Sequence, residues 1–187
     1  MDLRTQIFTA VDNNDLNTID ELFSPLQTQD FDSMNALFAI QRACDQQNIE
    51  AVRSLLPYAT EFFFEGQGPR DPNVIRTMEL KPYDTFFELL HLRVIPSNNT
   101  KLFDLFVPLI LNNINAYERA NILVQCYNND RLKFVDCVLP QLDDLSGFEY
   151  HKPTIKEFFE YRKAKYQKDT IMEHIDSDGS LQTQRKI

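Results

Sequence analysis

Residues 43–56 read Ala43-Cys44-Asp45-Gln46-Gln47-Asn48-Ile49-Glu50-Ala51-Val52-Arg53-Ser54-Leu55-Leu56, and this stretch decides the fold. Val52, Leu55 and Leu56 stand at i, i+3 and i+4, a spacing that gathers side chains on one face of a helix. Ile40 and Ala43 keep the same spacing ahead of a polar knot, Asp45 to Asn48. Polar residues of this kind accept left-handed backbone and then cap a following helix. Pro57 comes next, and proline ordinarily ends a helix. The stretch predicts a helix, a tight turn, a second helix and a break.

The same grammar occurs three more times. Apolar triplets recur at Ile19/Leu22/Phe23, Phe103/Phe106/Val107 and Val135/Val138/Leu139, with Ala10, Val94 and Cys126 nine residues before each. Ile7, His91 and Leu123 stand three residues earlier again. The knots are Asp12-Asn13-Asn14-Asp15, Ser97-Asn98-Asn99 and Asn128-Asn129-Asp130, and Pro25, Pro108 and Pro140 follow the triplets. The triplets start at residues 19, 52, 103 and 135, giving intervals of 33, 51 and 32. Two intervals near 33 fit a repeat of two short helices, and the long one is such a repeat plus an insertion. Short helix pairs cannot bury an apolar face alone, so they are expected to stack on one another.

On these residues the chain resembles the ankyrin-repeat family. Ala43 to Leu56 is similar to the helix-turn-helix stretch of an ankyrin repeat; Ala10 to Phe23 and Cys126 to Leu139 follow more loosely, and Val94 to Val107 least. The resemblance implies an all-α fold of stacked helix-turn-helix repeats, an ankyrin-like α-solenoid, whose work is to bind another protein. The chain departs from the family in lacking its Thr-Pro-Leu-His starts and its hairpin glycines. Where the family places a glycine between the two helices, this chain has Asn14, Gln47, Asn98 and Asp130. Its degenerate repeats and Gly-poor, Asn/Phe-rich composition are similar to effector-type ankyrin proteins of intracellular bacteria.

Composition narrows the function classes. Only 4 Gly occur in 187 residues, too few for the phosphate loops of a nucleotide-binding fold. The 3 cysteines are odd in number and have no metal-ligand spacing, which points to a reducing, cytoplasmic setting without disulfides. No apolar run is long enough to span a membrane. Residues 1–150 carry 11 Lys and Arg against 22 Asp and Glu, and residues 151–187 carry 8 against 6. An acidic body repels nucleic acid and attracts basic protein surfaces.

Residues 1–150 therefore read as the repeat domain and 151–187 as a basic C-terminal helix with a polar tail. The helix is expected to cap the last repeat through Ile155, Phe158 and Phe159. The insertion, 61–84, carries Phe62, Phe63, Phe64 and Arg70 among turn residues. Aromatic residues and arginine are the usual anchors of interfaces, so these four, with Asp45 and Asp130 in the acidic turns, are the expected partner-binding residues. Because residues 61–79 lie outside the period, their removal is expected to spare folding and abolish binding.

The sequence offers little chemistry. His91 holds a repeat position filled elsewhere by Ile7, Ile40 and Leu123, which suits a packed histidine better than a ligand. Cys44, Cys126 and Cys137 fall on repeat helices, where cysteine acts as a small hydrophobe. Asp176-Ser177-Asp178-Gly179-Ser180 lacks the glycine position and closing Glu of a calcium loop. The expectation is a non-enzymatic module without metal or cofactor, binding a protein with a basic surface. Two alternatives stay open: a small all-helical enzyme with a Cys–His or carboxylate site, and an oligomerisation domain.

Overall fold

A computed structural model describes residues 2–23, 30–64 and 82–183, apart from the side chains at 30–34, 60–62, 64, 82–84, 170, 171 and 173–183. All regular structure among these residues is helical. The chain divides into two compact units, Met1–Pro108 and Leu109–Ile187.

The first unit opens with α1 (Leu3–Asp12), whose N-cap Asp2 accepts a hydrogen bond from the Thr5 amide. It continues through α2 (Leu16–Phe23), α3 (Asp30–Asp45) and α4 (Ile49–Phe64). Then come α5 (Pro82–Leu89), a π-helical turn over Leu90–Val94 and the short α6 (Thr100–Asp104). α1 lies against α3 and α2 against α4, while α4 also meets α5 and α6, and α3 meets the π turn. Ile7, Ile19, Ile40, Val52, Leu55 and Phe103 are fully buried between them. These are repeat positions chosen by periodicity, so the apolar stripes do form the core.

The four polar knots share one backbone geometry. Asn14, Gln47, Asn98 and Asp130 have φ of 54°, 54°, 58° and 56°, and among the described residues they alone, glycine aside, adopt positive φ. The amide of Asn14 donates to the Val11 carbonyl and that of Asp15 to the Ala10 carbonyl. Gln47 and Asn48 repeat the pair on Cys44 and Ala43, and Asp130 and Arg131 repeat it on Tyr127 and Cys126. This is the Schellman closure, which satisfies the last carbonyls of a helix by letting one residue turn left-handed. The next residue then caps the following helix: Asp15 accepts from the Thr18 amide, Asn48 from Ala51 and Asn99 from Leu102. In the third turn the Ser97 hydroxyl donates to the Val94 carbonyl, in place of the second backbone bond.

Two expectations about boundaries change. Pro57 does not end its helix but lies inside α4, which runs on to Phe64. Proline removes one amide donor, and both Pro57 and Arg53, the residue whose carbonyl loses its partner, are exposed. Pro108 and Pro140 do fall at breaks, in the first turn of α7 (Val107–Asn113) and in the 3-10 turn Leu139–Gln141, whereas Pro25 lies outside the described residues. The insertion is consequently shorter than 61–84, since 61–64 belong to α4 and 82–84 to α5.

The second unit pairs α8 (Ala116–Asn128) with α9 (Leu132–Val138), joined by the Asp130 turn. After the 3-10 turns Leu139–Gln141 and Phe148–Tyr150, α10 (Pro153–Thr183) packs on both of them. Phe159 is buried, with its ring centroid 4.6 Å from Phe148 and 6.1 Å from Tyr127. Arg162 forks onto Asp136 through Nε at 2.8 Å and Nη2 at 2.6 Å, and the Tyr166 hydroxyl donates to the same carboxylate. The Lys163 ammonium donates to the Leu142 carbonyl. The start of α10 thus closes the fourth helix pair with rings and one carboxylate, and residues 151–166 share a core with residues 109–150.

Candidate functional site

The side chains expected to bind a partner take different positions. Phe63 is buried, and its ring meets Phe86 edge-on at 5.3 Å. It extends the stripe Val52, Leu55, Ala59 along α4 and belongs to the core. Excision from residue 61 onward would therefore open a cavity there. The backbones of Phe62 and Phe64 continue α4, but their side chains, and all of Arg70, lie outside the described residues. Asp130 is exposed at the left-handed position of the fourth turn. Asp45 is exposed and ion-paired with Arg93.

The Asp45–Arg93 pair belongs to a repeating arrangement. Asp12, two residues past Ala10, accepts from Arg42 Nε and Nη2 at 2.5 Å each and from Gln46 Nε2 at 2.5 Å. Asp45, two residues past Ala43, accepts from Arg93. In both cases the arginine immediately precedes the small residue of the next helix pair. The Arg42 hydrogen bond, then that of Gln46, holds the Asp12 carboxyl below the usual carboxylate range despite some desolvation. The caps add a second cross-link: Asn48 Nδ2 donates to the Val11 carbonyl at 3.4 Å, and Asn99 Nδ2 to Gln47 Oε1 at 3.1 Å. Each of these bonds is weak where exposed, but together they fix the register of neighbouring pairs.

The same helices carry cation–π contacts. The Arg4 guanidinium lies 4.5 Å from the Phe38 ring centroid and 5.3 Å from that of Phe8, and Arg42 lies 5.0 Å from Phe8. Phe8 and Phe38 are half-buried and Arg4 is exposed, so stacking holds its donors in place while leaving them open to water. Leu92, at the π turn, is 70% exposed. Rings and guanidinium groups are residue types that anchor interfaces, and here they lie beside the ion-paired carboxylates Asp12 and Asp45.

A second exposed cluster lies in the other unit and was not found from the sequence. Tyr117, in the first turn of α8, meets Tyr150 edge-on at 5.3 Å and lies near-parallel to the His151 ring at 6.5 Å. Tyr117 is 48% and Tyr150 72% exposed. Gly147 brings them together: at φ 91° its backbone presses on α8, and a Cβ there would stand 2.4 Å from the Ala116 carbonyl oxygen. This contact joins residues some thirty positions apart, so only the fold reveals it.

The candidates for chemistry are quiet. Burial pushes the thiols of Cys44 and Cys126 up to about 12, which disfavours the thiolate a nucleophile needs. Cys137 is half-buried and donates to the Lys133 carbonyl. His91 stacks on Phe87 at 5.8 Å; its Nδ1 is buried without a hydrogen-bond partner, and burial lowers its pKa. Among the described residues no three His, Cys, Asp or Glu assemble as a metal site, and no helix is long and apolar enough to cross a membrane. In comparisons with known proteins, the chain matches no family model, no curated protein and no solved structure.

Proposed function

We propose that the chain is a degenerate ankyrin-like repeat protein that binds a basic protein partner and catalyses no reaction. The observation that carries this reading is the shared turn. Four residues at equivalent sequence positions, Asn14, Gln47, Asn98 and Asp130, adopt the left-handed backbone between two helices where the family has glycine. Stacking of the first three pairs is supported by the recurring links Asp12–Arg42 and Asp45–Arg93. A scaffold built this way spends its residues on register and presents turns and first helices to a partner. The basic partner follows from charge: residues 1–108 carry 8 Lys and Arg against 16 Asp and Glu.

The binding residues in this proposal are Asp45 with the insertion's Phe62, Phe64 and Arg70 in the first unit and, separately, Asp130 in the second. Phe63 acts as a core anchor for α4. The Cys–His alternative is disfavoured for Cys44 and Cys126, whose thiols resist ionisation. The test is affinity capture from cells of origin with three baits: the wild-type chain, Asp45→Asn/Asp130→Asn, and Arg70→Ala. The paired substitution removes two charges and keeps a residue that tolerates left-handed backbone at 130. A specific basic protein retained by the wild type and lost from the paired variant supports the reading. Equal retention by all three baits, or selective labelling of one folded cysteine by a thiol-reactive probe, overturns it.

A further inference from the structure

α10 is 31 residues long, about 46 Å at the usual rise. Its first half packs on the body: Phe158, Phe159, Arg162, Lys163 and Tyr166 turn toward α8, α9 and the 3-10 turns. An exposed stripe beside those residues carries Tyr161, Lys165, Lys168 and Met172, spaced 4, 3 and 4 residues apart. That is the spacing of a coiled-coil seam. All four are exposed, Tyr161 at 75% and Met172 at 50%, and neither lysine is ion-paired with a described residue. Beyond Tyr166, which donates to Asp136, the helix continues to Thr183.

We propose that this face of α10 docks an acidic amphipathic helix of a partner protein. Two apolar ends flank two lysines, so the complementary helix carries apolar residues opposite Tyr161 and Met172 and carboxylates opposite Lys165 and Lys168. A second copy is the wrong occupant. Parallel pairing sets Lys165 and Lys168 against their own copies, antiparallel pairing about the centre of the stripe sets one against the other, and like charges in a seam are repelled. A bilayer is the wrong one too, because insertion needs a broad apolar face, and here lysines occupy the middle of the stripe. Glu157, one turn before Tyr161 on the same side, ends the basic run and fixes where the docked helix stops.

The test uses the full chain and a helical peptide with leucine at the positions facing Tyr161 and Met172 and glutamate at those facing Lys165 and Lys168, titrated by fluorescence anisotropy. A matched peptide with lysine for glutamate is the charge control. The acidic peptide should bind and weaken with added salt, and the lysine peptide should not. Lys165→Glu/Lys168→Glu and Tyr161→Ala/Met172→Ala should each weaken it about tenfold or more, a loss of roughly 1.4 kcal/mol. Since all four side chains are exposed, the melting curves of both variants should match the wild type. Absence of binding to the acidic peptide overturns the proposal, as does equal binding by the variants or by the lysine peptide. Sedimentation as a dimer that Tyr161→Ala dissociates would give the face to a second copy. Binding to phosphatidylserine vesicles without binding to the peptide would give it to a membrane.

Discussion

The shared turn can be tested by exchanging glycine and alanine at two positions of one helix pair. Asp130 has φ 56° and is exposed; Gln125, five residues earlier, is an exposed position inside α8. An L-residue other than Asn or Asp loses about 1–2 kcal/mol on entering left-handed backbone, which glycine does not. Glycine loses about 0.5–1 kcal/mol more conformational freedom than alanine on folding. At 130 the balance favours Asp130→Gly over Asp130→Ala by roughly 0.5–1 kcal/mol. At 125 the order reverses, because glycine within a helix costs about 1 kcal/mol relative to alanine. The swing between positions is thus about 2 kcal/mol, or about 4–8 °C in Tm for a chain of this size. Thermal and urea unfolding of the four variants measures it. If Asp130→Gly is no more stable than Asp130→Ala, the turn is not left-handed in solution and the repeat reading collapses with it.

Other expected outcomes follow from single side chains. Phe63→Ala should cost about 3–5 kcal/mol, as for a large ring lost from a core, and Phe63→Leu clearly less; equal, small losses in denaturant melts would put Phe63 back on the surface. Burial, then the hydrogen bond to Asp136, pushes the Tyr166 hydroxyl up to about 12 from an ordinary 10.0. The fold holds that proton more tightly than the unfolded chain, so the contribution is complete below pH 10 and disappears as pH rises through about 12. A spectrophotometric titration should show one late tyrosine that Tyr166→Phe removes. Native protein should leave Cys44 and Cys126 unreacted with a thiol reagent at mildly alkaline pH, and denatured protein should expose all 3 thiols; rapid native reaction at either would contradict their burial.

The helix pairs were legible in the sequence because their signals are local. Apolar triplets and polar knots lie within a few residues of each other, and register alone identified even Gln47, a residue type with no special taste for left-handed backbone. The reading of Pro57 failed because a general rule about missing amides was applied without knowing that the position faces water. Phe63 was assigned to a loop because Gly66, Gly68 and Pro69 follow it, although it continues the stripe of Val52, Leu55 and Ala59 at helical spacing. The π turn at Leu90–Val94 has no signature in composition or period. The Asp12–Arg42 bridge and the Tyr117–Tyr150 cluster join residues some thirty positions apart, so they emerge only once the helices have met.

The polar links also give the chain a direction of growth. Asp12 of the first pair is received by Arg42 of the second, and Asp45 of the second by Arg93 of the third. The receiving position in the first pair is Thr9, and the donating position in the third is Pro96, so neither end offers a half-made bond. Only the second pair carries both halves. If that pair were duplicated in place, the original Asp45 would meet the copied Arg42, and the copied Asp45 would meet Arg93. A duplicated first pair would set Asp12 against Thr9, and a duplicated third would set Pro96 against Arg93. On the repeat reading proposed above, lengthening by design therefore has one point of entry, the second pair.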